Sequence, residues 1–130
     1  MKKTITTIKK PRRGEIWKVN FNPTKGKEIM KTRPAIVIAN DDVRDLLMTI
    51  VVPLTEWKDE YEEQPWMVPF SPDEKNKLTK LSAANPMHVR GVSFERFDEK
   101  MGFVTDKQLY EVLDALAICV NYISPSLRTN

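Results

Sequence analysis

Two short, uninterrupted apolar runs constrain this chain more than any other feature: Ala35-Ile36-Val37-Ile38-Ala39 and Thr49-Ile50-Val51-Val52. Both are rich in β-branched residues and short, and neither carries the polar alternation of a strand that faces water. Each therefore predicts a fully buried strand. The second run continues to about Thr55. Pro53 cannot donate to a ladder, so that strand bends there or lies at an edge.

The other elements follow from local pattern. Gly14 to Phe21 predicts a first, half-buried strand, because Trp17, Val19 and Phe21 alternate with Lys18 and Asn20. Ile16 breaks its polar face. Asn22-Pro23-Thr24-Lys25-Gly26 reads as a turn. Asn40-Asp41-Asp42 ends the next strand, with a short helical turn through Arg44. Trp66 to Phe70 is expected as a short strand, Ser71 to Glu74 as one capped helical turn, and Met87 to Phe94 as the last strand. Thr105-Asp106-Lys107-Gln108 has the spacing of a capping box. Leu109, Val112, Leu113, Leu116, Val120 and Ile123 then mark one helix face, which Ser124-Pro125 stops. Short strands in succession followed by one helix imply a mainly β fold, a compact barrel or curled antiparallel sheet, with the helix packed outside.

A chain of 130 residues suits one domain, able to bury roughly two-thirds of its unfolded surface. Residues 1–12 are expected as a flexible basic arm, 13–124 as the domain and 125–130 as a tail. The single cysteine, Cys119, excludes an intramolecular disulfide and is expected buried within the helix. That usage fits a reducing compartment. No apolar run approaches the roughly 18 residues of a membrane span. The charged N-terminus lacks the apolar stretch of a signal peptide. The cytoplasm is the expected location.

The net charge of +3 hides an asymmetry. Through Arg33 there are eleven Lys and Arg against two acids; from Pro34 onward there are ten against sixteen. A basic first quarter on an acidic body suggests a face for a polyanion; for residues 2–13 the alternative is a tail of solvated lysines.

Elimination narrows the chemistry. His88 is the only histidine, so a pair of imidazoles acting as acid and base is impossible within one chain. One His and one Cys cannot build a usual zinc site. His88 is expected to be structural or solvated. The acids of Asp59-Glu60-Tyr61-Glu62-Glu63 read as a solvated loop rather than a magnesium site. Four widely spaced glycines exclude a phosphate-cradling loop. No metal or cofactor is expected.

Arg33 remains. It opens a buried strand, where a charge is costly unless it is paired or used. Its planar fork suits phosphate. If the two apolar strands are neighbours, their ends bring Arg33 beside Thr55, and Glu28 can brace the guanidinium. A surface salt bridge is the alternative for Arg33.

Read together, Arg13-Gly14-Glu15-Ile16-Trp17, Asn22-Pro23-Thr24-Lys25-Gly26-Lys27-Glu28 and Lys31-Thr32-Arg33-Pro34 resemble the opening of the MazF/PemK toxin family. Val52-Pro53-Leu54-Thr55, Val89-Arg90-Gly91-Val92-Ser93 and the helix from Thr105 are similar to its later elements. The resemblance spans roughly residues 13–122. It implies an SH3-like barrel, a homodimer, and metal-independent, sequence-selective cleavage of single-stranded RNA to a 2′,3′-cyclic phosphate. It also implies a cognate antitoxin with a disordered tail. Arg33 and Thr55 match the family's catalytic pair, and Glu28 the acid beside that Arg. Asn22, Thr24, Lys25 and Gly26 match a loop bordering the RNA groove, with Arg90 as a further RNA contact. Met87 and His88 stand where the family often carries an acid and a Gln, residues 56–82 match poorly, and the basic arm has no counterpart. Two rival readings are a barrel that binds a protein target such as a topoisomerase without catalysis, and a plain RNA-binding module.

Overall fold

The structure is a computed structural model and describes residues 10–21, 32–43 and 47–129. Among the described residues, seven strands form one antiparallel sheet: β1 (Glu15–Asn20), β2 (Thr32–Val37), β3 (Met48–Glu56), β4 (Val68–Phe70), β5 (Ser82–Ala84), β6 (Arg90–Ser93) and β7 (Phe97–Phe103). The order is β4-β5-β3-β2-β1-β7, with β6 also paired to β3. The sheet is open, since β4 and β7 end the path without meeting. One helix, α1 (Asp106–Cys119), follows. None of the described helices is long and apolar enough to cross a membrane.

The two apolar runs are continuous because both faces of the sheet are covered along most of them; Ile50 alone departs from the expected full burial and is 42% exposed. Ile36, Ile38, Val52 and Leu54 join Ile16, Val68, Phe70 and the helix residues Leu109, Val112 and Ala115 in one core. Ala35, Val37 and Val51 point the other way, into a second core with Val19, Val92, Phe94 and Phe97. Full burial of a side chain such as Ile36 or Phe70 contributes about 1.5–3 kcal/mol. Ile16 is thus no break in a polar face: it belongs to the helix-side core, while Trp17, Val19 and Phe21 serve the other. Trp17 meets Phe97 edge-on at 5.7 Å.

Pro53 does not lie at an edge. It pairs with Ala35 of β2 on one side, and its carbonyl accepts from Asn85 N–H on the other. There β3 exchanges partners, from β6 over Met48–Val51 to β5 over Leu54–Glu56. The missing N–H falls at the gap between them.

Several boundaries differ from expectation. Trp66 and Met67 precede β4 rather than joining it. Ser71–Glu74 leads into a hydrogen-bonded turn, not a helix: Asp73 Oδ1 accepts from the N–H groups of Lys75 and Asn76 at 2.8 and 2.7 Å. Asn40 Oδ1 accepts from Asp42 N–H and closes the turn after β2; the helical turn expected through Arg44 reaches outside the described residues. Met87–Phe94 is not one strand, because Pro86–His88 forms a 3-10 turn capped by Asn85 before β6 begins. Nor is it the last, since β7 follows and pairs with β1.

The helix starts as its sequence demands. Thr105 Oγ1 accepts from Gln108 N–H, and Gln108 Oε1 accepts from Thr105 N–H. It ends at Cys119, ahead of Ser124-Pro125, and leaves Val120 and Ile123 exposed. Cys119 is half-buried rather than buried. Its partial burial pushes the thiol above the ordinary value, which disfavours the reactive thiolate.

On β1, burial alone would raise the Glu15 carboxyl. Hydrogen bonds from Trp17, Arg12 N–H and Lys100, with the Lys100 charge, outweigh it and hold Glu15 below its ordinary value.

Candidate functional site

The β2–β3 register pairs Val37 with Val51 and Ala35 with Pro53. Two residues further along, the same alternation sets Arg33 opposite Thr55, on the face that buries Ala35 and Val37 deeper in the sheet. Here the second core runs out. Both side chains are half-buried, and Arg33 Nη1 donates to Thr55 Oγ1 at 3.2 Å. The hydroxyl accepts this bond and so keeps its own proton for a third group. The guanidinium keeps its other N–H donors. Two adjacent donors, one of them permanently charged, form a receptor for an oxyanion.

Two cavities flank the pair. One, of 470 Å³, is lined by Arg33, Thr55, Glu56, Lys58, Thr79, Lys80 and Ser82 among others. The second, of 330 Å³, is lined by Phe21, Arg33, Pro53, His88, Val89 and Arg90. Arg33 lines both, so it stands at the waist of an extended groove. Among the described residues, the lining carries four permanent cations, Arg33, Lys58, Lys80 and Arg90, against one acid, Glu56. This groove is cationic although the chain from Pro34 onward is acidic overall. At the far rim, the Arg90 guanidinium lies 5.3 Å from the centre of the Phe21 ring, a cation–π contact.

The structure therefore brings Arg33, Thr55 and Arg90 to one groove. Glu28, Asn22, Thr24, Lys25 and Gly26 lie outside the described residues. His88, expected to be structural or solvated, is exposed but lines the groove wall beside Arg33. Asp59–Glu63 forms an exposed 3-10 turn with no buried residue. Among the described residues, no group of three or more His, Cys, Asp or Glu converges to hold a metal.

Sequence reasoning missed Phe21 as a groove residue, and Lys58, Thr79, Lys80 and Ser82 entirely. The one available signal was the basic run Lys75, Lys77 and Lys80 within an otherwise acidic body. Nothing local showed that the chain folds back there beside β3.

A family model described as the PemK-like, MazF-like toxin of type II toxin-antitoxin systems matches residues 12–120. The chain belongs to this toxin family. Among the family's relatives, the chain is similar to an endoribonuclease MazF of Staphylococcus saprophyticus, 28% identical over 107 residues, covering 82% of this chain and 88% of that protein. The toxin's fold is shared with a MazF crystal structure from Deinococcus radiodurans, with a TM-score of 0.68 and 22% identity, covering 85% of this chain and 96% of that one. It is also shared with MazF in a MazE–MazF complex from the same organism, with a TM-score of 0.70 and 19% identity, covering 88% and 99%. A mycobacterial endoribonuclease bound to its cognate antitoxin gives a TM-score of 0.67 at 20% identity, covering 88% and 99%. The fold is thus the one expected, a curled, mainly β sheet with an external helix, left unclosed.

Proposed function

We propose that this toxin is a metal-independent endoribonuclease that cuts single-stranded RNA at selected sequences, with Arg33 and Thr55 acting on one scissile phosphate. The observation that carries the reading is their hydrogen bond at the waist of a cationic groove. The endoribonuclease name of the staphylococcal relative supports it.

RNA supplies the nucleophile. Its 2′-hydroxyl attacks the adjacent phosphorus, the O2′–P bond forms and the P–O5′ bond breaks. The products are a 2′,3′-cyclic phosphate and a 5′-hydroxyl. A base takes the 2′ proton and the leaving 5′-oxygen gains one. Negative charge grows on the non-bridging oxygens, and fixed donors aimed there lower the barrier. Arg33 neutralises that charge and, in a second and less favoured role, passes a proton to the 5′-oxygen. Thr55 donates to the same oxygens, a contribution of about 2.7–4 kcal/mol for a donor of this kind. Glu28 orients Arg33 and is one candidate for the general base.

Asn22, Thr24, Lys25, Gly26 and Arg90 contact RNA in this scheme, with Phe21 and Arg90 offering a base a stacking surface. Met87 and His88 stand where the family often carries an acid and a Gln, and His88 lines the groove. The partners are a cognate antitoxin with a disordered tail and a second copy of the chain. The solved toxin–antitoxin complexes of the same fold support the first. The exposed apolar surface of Val43, Leu47, Met48 and Ile50 supports the second. The cytoplasm is the place of action.

The test incubates the protein with mixed-sequence single-stranded RNA, and with its DNA counterpart, in excess EDTA. The parent cuts RNA and leaves DNA intact, because DNA lacks the 2′-hydroxyl. Arg33→Ala slows cutting by about 10³-fold or more, the scale of losing an arginine from a phosphoryl-transfer site. Equal cutting by parent and variant would sink the assignment. No cutting by a well-folded parent would favour a binder.

A further inference from the structure

Residues of the stretch 56–82 line the larger of the two cavities beside Arg33 and Thr55. Lys58 follows the end of β3, and Thr79, Lys80 and Ser82 come from the return into β5, which pairs with Leu54–Glu56. These residues line the cavity that holds Arg33 and Thr55, not the one that holds Arg33, Arg90 and Phe21.

We propose that Lys58 and Lys80 form a second phosphate subsite, which grips an RNA backbone phosphate beyond the scissile one, with Thr79 and Ser82 beside it. The inference rests on the reading of the groove as an RNA site, and adds where and how the strand is held past the cut.

Three observations carry it. Lys58 and Lys80 line the same cavity as Arg33 and Thr55, so a chain held at the pair continues past them. The Lys58 side chain has no ion pair among the described residues. Lys80 has only Glu56, at 3.5 Å, with both side chains more than half exposed. So long and exposed a pair holds weakly, and a phosphate with a full charge can replace it. Glu56 then acts as a placeholder: it holds the Lys80 ammonium at the cavity until RNA arrives. A lysine suits this role, since its ammonium is a mobile point charge that follows a backbone without reading a base. The acids Asp59, Glu60, Glu62 and Glu63 do not line this cavity.

The test measures binding of single-stranded RNA that carries a 2′-O-methyl group at the cleavage position, across a range of salt concentrations. For single strands, each phosphate neutralised contributes about 0.7 to the slope of log K against log salt. The double variant Lys58→Ala/Lys80→Ala therefore has a slope shallower by about 0.7 and binds more weakly at low salt. Glu56→Gln binds more tightly than the parent. Lys107→Ala, on the helix and in neither cavity, keeps the parent slope. A neutral methylphosphonate walked along the RNA removes the difference between parent and double variant at one position only.

Failure of this proposal and failure of the nuclease reading are distinct. A parent that cuts RNA while the double variant keeps its slope overturns the subsite alone. An equal loss in Lys107→Ala overturns it too, as general surface charge. A parent that neither binds nor cuts RNA overturns both.

Discussion

The inner and outer ends of the β2–β3 pair share one register and one face of the sheet, yet do opposite work. At the inner end Ala35, Val37 and Val51 are buried against Phe97 and Val92. At the outer end the same alternation presents Arg33 and Thr55 to a groove. Core and site are therefore one geometric object: the strands that lock the core also fix where the guanidinium and the hydroxyl stand. A site on rigid strands needs little rearrangement to meet a phosphate.

Substitutions should separate the two ends. Phe97→Ala opens the inner end and lowers unfolding free energy by about 3–5 kcal/mol, read by chemical denaturation. The fraction that remains folded should still cut RNA. Thr55→Ala does the reverse, slowing cutting by about 10²–10³-fold with little change in the denaturation midpoint. If Thr55→Ala instead unfolds the protein, the outer end is structural.

Thr105→Ala removes the helix cap, which touches neither end, and costs about 1 kcal/mol of stability at unchanged turnover per folded molecule. The smallest effect is a pH dependence. Glu15 is held below its ordinary value of 4.5, so the group binds fewer protons in the folded chain than in the unfolded one as the pH falls. That contribution is complete above 4.5 and is lost as pH falls through the lower, folded value. Glu15→Gln should flatten the acid limb of the melting temperature below about pH 4.5 and leave neutral-pH cutting unaltered.

How legible each part was in the sequence follows from where its stabilising contacts lie. β1, β2, β3 and the helix were readable because their own residues carry the pattern, in the apolar runs and the Thr105–Gln108 box. β7 was not. Asp98, Glu99 and Lys100 face outward in succession, so the strand lacks a period of two, and its pairing with β1 is interrupted by bulges. Its Gly102 marks a close approach visible only in three dimensions: a Cβ there would stand 2.1 Å from the Lys75 carbonyl oxygen. β5 is three small residues, Ser82-Ala83-Ala84, too short to show any pattern. Arg33 and Thr55 were legible as ends of neighbouring apolar strands. Lys58 and Lys80 were not, because they reach the groove through the return of the chain beside β3.

If Arg33 and Thr55 act as one unit on one phosphate, a double-mutant cycle of RNA cleavage reveals it. Single-turnover rates are measured in EDTA for the parent, Arg33→Ala, Thr55→Ala and the double variant. Groups that serve one transition state are strongly non-additive, so the double variant should cut no more than a few-fold slower than the worse single variant. A double variant whose loss is the full product of the two single losses would show two independent contributions, and would contradict the account.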